Sequence, residues 1–145
     1  MLSIATPSID QLSGIIATVA APAFLLGAVA SFISVLIGRI NRIVDRSQAL
    51  HAIPPDNMSK AHLKADLPRL KLRAAMLNRA LTCAVISSIL TGLIIIVAFI
   101  SAWFRMAHEY GVALLFIGAL VLFCFSLVDL ARETRISLRD SDLEI

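Results

Sequence analysis

Residues 11–38 read QLSGIIATVAAPAFLLGAVASFISVLIG, 28 positions without one Asp, Glu, Lys or Arg. A helix needs about 20 apolar residues to cross the hydrocarbon of a bilayer, so this run spans it with length to spare. Two more uncharged runs follow. Residues 80–104, ALTCAVISSILTGLIIIVAFISAWF, hold 25 positions, and residues 110–128, YGVALLFIGALVLFCFSLV, hold 19. The expected protein is an all-α integral membrane protein, one membrane domain over 1–145. Its three transmembrane helices lie at about 12–38, 80–104 and 110–128, with a cytoplasmic helical hairpin at 39–79 and a tail at 129–145. The chain is 59% hydrophobic against about 45–50% in soluble domains, as a lipid-solvated chain requires.

Basic residues in short loops mark the cytoplasmic side. The segment before the first run has none; the 39–79 loop has Arg39, Arg42, Arg46, Lys60, Lys64, Arg69, Lys71, Arg73 and Arg79. The connection at 105–109 has Arg105 alone, and the tail has Arg132, Arg135 and Arg139. The alternation predicts a periplasmic N-terminus and a cytoplasmic C-terminus. Trp103 and Tyr110 flank the short outer connection, where amphipathic rings favour the headgroup level. The first residues carry no Lys or Arg, so they do not read as a secretory signal. The formal charge of +3 then fits topology and anionic headgroups rather than nucleic acid.

The first span carries small residues at helical spacing, Ala23, Gly27, Ser31, Ser34 and Gly38, and the second a shorter set led by Ser87 and Thr91. Helices in lipid associate by close backbone approach at such stripes. These residues are therefore candidates for helix packing or for lining a pore. The third span is bulkier, which predicts that spans one and two form the core or the subunit contact while span three faces lipid. Pro22 frees the carbonyl of Thr18, which the Thr18 hydroxyl or a water would relieve.

Beyond the membrane, Leu36, Ile40, Ile43, Ser47 and Leu50 recur at heptad-like spacing, as do Leu67, Leu70, Ala74, Leu77 and Leu81 on the return. Pro54-Pro55-Asp56-Asn57 supplies the turn, with Ser59 and Asp66 as caps. Polar residues cluster where the spans end: Arg39, Asn41, Arg42, Asp45 and Arg46 after the first, and Arg132, Glu133 and Arg135 after the third. These are candidates for contact with lipid headgroups or a partner. A tail packed on the hairpin would bring Glu133 or Asp129 to the first set.

No Asp, Glu, Lys, Arg or His lies deep in a span, and intramembrane charges mark pumps and proton relays. Cys83 and Cys124 form no metal or disulfide pattern, and His51, His62 and His108 lack ligand spacing. The reading is a protein without enzymatic activity or cofactor, a self-associating scaffold or accessory subunit, with an unidentified protein partner a further candidate. The alternative is a homo-oligomeric ion channel lined by span one, with a cytoplasmic arginine ring. An enzyme acting on lipid at the basic collar is a third reading and has no nucleophile–base pair to support it.

The run Asn41-Arg42-Ile43-Val44-Asp45-Arg46, and Arg132-Glu133-Thr134-Arg135-Ile136-Ser137-Leu138 after the last span, resemble an uncharacterised family of small bacterial inner-membrane proteins. That family is classed as a domain of unknown function and is built around three predicted spans. The resemblance covers nearly the whole chain. It implies a bacterial inner-membrane location and brings no activity, cofactor or catalytic residue.

Overall fold

The computed structural model describes residues 8–54, 63–104 and 109–142. They form three helices: α1, Ile9–His51; α2, Leu67–Phe104; and α3, Glu109–Asp142. All three are long and apolar enough to cross a membrane, the architecture of a multi-pass membrane protein. The helices have 43, 38 and 34 residues. At 1.5 Å per residue these measure about 64, 57 and 51 Å, well beyond a hydrocarbon core of about 30 Å.

The excess is a helical hairpin. Past its uncharged run α1 continues through residues 39–51, and α2 begins at Leu67, thirteen residues before Ala80. Pro54 follows the end of α1, and residues 63–66 make a 3₁₀ turn into α2. The rest of the expected turn, Pro55, Asp56 and Asn57, lies outside the described residues, as do Ser59 and Arg105. α1 opens on a capping box: the Ser8 hydroxyl accepts from Gln11 N at 3.3 Å, and Gln11 Oε1 accepts from Ser8 N at 3.2 Å.

α2 is the central helix, and it carries two seams. Toward α1 it presents Leu70, Leu77 and Ala84. They pack with Val29, Leu36, Ile43 and Leu50, four residues each seven apart, and α1 also buries Pro22 one heptad earlier. Sustained seven-residue spacing is the signature of left-handed coiled-coil packing. Toward α3 it presents Arg73, Ala80 and Ser87, again seven apart. They meet Glu133, Ser126 and Ala119 in that order, so each heptad up α3 answers one down α2. The Ser126 hydroxyl donates to the Ala80 carbonyl at 2.6 Å, and the Ser87 hydroxyl to the Ala119 carbonyl at 2.7 Å. Bonds this short across the helices need small residues at the crossing, here Ala80, Ser87, Ala119 and Ser126, all fully buried.

As expected, the core cluster lies between α1 and α2, and the bulky residues of α3, such as Leu114 and Phe125, point outward. The packing goes further than expected in that Ala119 and Ser126 also seat α3 along α2. One expectation is corrected. The Thr18 hydroxyl does not relieve its own carbonyl; it donates to Gly14 O at 2.9 Å.

Outside these seams the apolar side chains stay exposed, Phe24, Ile89, Ile117 and Phe125 among them. In water so large an apolar surface would be an aggregation liability; in a bilayer it is the contact with lipid tails. Trp103 and Tyr110 are exposed at the adjoining ends of α2 and α3.

Candidate functional site

The charges that matter lie within seven residues of the apolar runs. Glu133 sits on the inner stripe of α3 with Ala119 and Ser126, and its side chain is 1% exposed. Two arginines converge on it. Arg73 of α2 donates to Oε1 through Nη2 at 2.7 Å and Nε at 3.0 Å. Arg39 of α1 donates to Oε2 through Nη1 at 2.9 Å. Nη1 of Arg39 also reaches the Thr134 hydroxyl at 3.0 Å, and Nη2 of Arg73 reaches that of Ser137 at 2.9 Å. The Thr134 hydroxyl in turn donates a hydrogen bond to Leu130 O. Each carboxylate oxygen is thus held by a charged donor, the condition under which a buried acid is tolerated. One residue from each helix meets at this point, and α1 and α3 otherwise touch at Phe32 and Phe123, whose rings stack edge to face at 5.5 Å.

One turn before Glu133, Asp129 is also buried. Its Oδ2 lies 3.3 Å from Arg79 Nε, yet the two are not aligned as a hydrogen bond, and that oxygen has no hydrogen-bond partner. The pair is therefore a Coulomb contact without the directional bond that Glu133 enjoys, and the Arg79 side chain is mostly exposed. At the hairpin tip Arg46 comes within 3.8 Å of Asp66, a loose exposed pair worth at most about 1 kcal/mol.

Of the candidate residues, the structure brings Arg39 and Glu133 together. Asn41, Arg42, Asp45, Arg132 and Arg135 stand exposed. Ser87 and Thr91 are fully buried, Ser87 bonded to α3 and Thr91 to the carbonyl of Ser87 one turn back. The small residues of span one face the other way: Ala23, Gly27, Ser31, Ser34 and Gly38 are all exposed. A Cβ added at Gly27 or Gly38 would meet nothing within 4 Å. Ser31 and Ser34 turn their hydroxyls onto the carbonyls of Gly27 and Ala30.

The sequence reading missed Arg73 and Ser126. Both had a signal: each falls on a seven-residue row of small or apolar residues, Arg73 with Ala80 and Ser87, Ser126 with Ala119. A polar residue on such a row is buried against a neighbouring helix and must find its partner there.

A family model described as "Protein of unknown function (DUF2721)" matches residues 19–143. The match takes in all of the charged residues just described. No curated protein and no solved structure matches the chain.

Proposed function

The chain belongs to the DUF2721 family, and from that premise we propose that it is a non-enzymatic membrane scaffold or accessory subunit that self-associates through α1. The orientation that goes with this reading puts the α1–α2 hairpin and the C-terminal tail in the cytoplasm of a bacterial cell, below the inner membrane. Support for the orientation is the concentration of basic residues at that end. The exposed arginines there would lie against anionic headgroups.

The observation that carries self-association is a second, unoccupied seam on α1. Ala23, Gly27, Ser31, Ser34 and Gly38 do not stop at the membrane boundary; Asn41 and Asp45 continue them at the same alternation of three and four residues, and all seven are exposed. One face of α1 is therefore consumed by α2, and the opposite face repeats the geometry of a packing seam with nothing against it. Its membrane half is small enough for close backbone approach. In its aqueous half Asn41 is the kind of polar seam residue that fixes register between paired helices.

The channel reading draws less support. Of the two candidates for a cationic ring, Arg39 is held by Glu133 and Thr134 of its own chain, which leaves Arg42 alone.

The test is the subunit number of the protein in lipid nanodiscs, read by native mass spectrometry. A defined oligomer is expected, and Gly27→Leu and Ser31→Leu should reduce it to monomer. Because the space around the Gly27 Cβ is open, that substitution leaves the three-helix packing intact. A monomeric wild type, or an unchanged subunit number in both variants, would overturn the reading.

A further inference from the structure

Two arginines share the one carboxylate of Glu133, so the buried cluster holds an unmatched positive charge. It lies toward Arg39, whose side chain is 37% exposed, while that of Arg73 is 17% exposed. α1 and α3 run parallel, both leaving the membrane at this end, and they are held in step by Phe32 with Phe123 and Arg39 with Glu133 and Thr134. Three residues past Phe32 and Arg39 on α1, and four past Phe123 on α3, each helix presents its outer edge to the groove between α1 and α3. On α1 the mouth row is Val35, then Arg42 seven residues later. On α3 it is Leu127, then Thr134 seven residues later. Val35 and Leu127 are exposed and apolar at the level of the bilayer. Arg42 is exposed, has no carboxylate partner among the described residues, and stands one helical turn beyond Arg39. The cleft thus passes from an apolar wall to two guanidiniums and a hydroxyl at the point where the uncharged runs end.

We infer that this cleft binds an anionic phospholipid, its phosphate between Arg42 and the exposed edge of Arg39 and an acyl chain along Val35 and Leu127. Arginine suits the role because its planar fork bonds two phosphate oxygens at once. Two features favour a lipid over a soluble phosphate. The apolar wall is continuous with the arginines, and the cations stand at the depth of a headgroup. The inference rests on the membrane placement proposed above and not on self-association.

The full chain, purified in detergent, is offered phosphatidylglycerol and phosphatidylcholine of the same acyl length, and retained lipid is counted by native mass spectrometry. The wild type should retain phosphatidylglycerol preferentially. Arg42→Gln should lower that retention roughly fivefold, the effect of one arginine beside an anionic headgroup. Val35→Trp, which fills the mouth, should lower it too. Arg132→Gln is the control: two residues before Thr134, it is exposed on the far side of α3 from the mouth row, and it should leave retention unchanged. Equal losses in Arg42→Gln and Arg132→Gln would reduce the site to diffuse attraction and overturn the inference. So would equal retention of the two lipids, or displacement of the lipid by glycerol phosphate at equal concentration, which would mark a site for free phosphate. The same spectra report subunit number. Gly27→Leu protein should keep the lipid preference whether or not its assembly is lost, which separates this inference from the scaffold reading.

Discussion

Arg73 meets Glu133 through two nitrogens on a single carboxylate oxygen, at 2.7 and 3.0 Å, and leaves the other oxygen to Arg39 at 2.9 Å. The arrangement joins all three helices through one side chain of α3. Glu133→Ala would leave the largely buried Arg73 without its counter-ion. Breaking a buried ion pair from one side costs about 3–5 kcal/mol in soluble proteins, and Arg39, more than a third exposed, finds water, so about 3 kcal/mol is the expected loss. The double variant Glu133→Gln with Arg73→Met should recover more than half of it, because no charge is then stranded. Reversible unfolding in mixed micelles measures both; a double variant as weak as Glu133→Ala would refute a pairing role.

Asp129 offers a contrast within one turn of the same helix. It is also buried, though less deeply than Glu133; its oxygen faces Arg79 without an aligned hydrogen bond, and Arg79 is itself open to solvent. Asp129→Asn should therefore cost less than Glu133→Gln, by about 1 kcal/mol or more, the usual excess of a charge-assisted bond over a poorly made one. The same unfolding assay ranks the two, and the reverse order would contradict the geometry.

The α2–α3 seam is set by small residues. Ser87→Ala removes one interhelical hydrogen bond, and such bonds in membranes are worth about 0.6 kcal/mol on average. Ser87→Leu instead forces a large side chain into a fully buried crossing, which in packed cores costs about 1–3 kcal/mol. The leucine variant should be markedly the worse of the two, and Gly27→Leu on the open face of α1 should leave monomer stability unchanged. Equal effects at Ser87 and Gly27 would mean that the two small-residue faces are not distinct.

What could be read from the chain divides along physical lines. Three uncharged runs decide three helices because length and apolarity are properties of a segment by itself. The seams Leu36–Leu50 and Leu67–Leu81 were legible for the same reason, and both pack. Which face of a membrane helix turns inward is less visible, since lipid and protein interior are equally apolar. In water a hydrophobic stripe points inward; in span one the small residues read as the packing face, and the Val29–Leu36–Ile43 row took α2 instead. Glu133 was read as a residue able to meet the first basic set, and it does. Arg73 was counted only as a loop charge, because the seam that buries it is apparent only once the α2–α3 register is known.

The start of α1 gives the simplest prediction. Ser8 and Gln11 bond reciprocally across the first turn, ahead of a segment whose side chains Ile9, Leu12 and Ile16 are exposed. With so little burial among the described residues here, the cap is the main local hold on the first turn. Losing a serine cap costs about 1 kcal/mol, which multiplies the open population of the first turn roughly fivefold. Ser8→Ala should speed amide exchange at Gln11 and Leu12 by that factor, while amides past Pro22, where packing begins, stay as they were. Ser8→Asp keeps an acceptor at the helix N-terminus and should hold the wild-type rate. If exchange is equally fast in wild type and Ser8→Ala, lipid rather than the capping box is ordering the first turn.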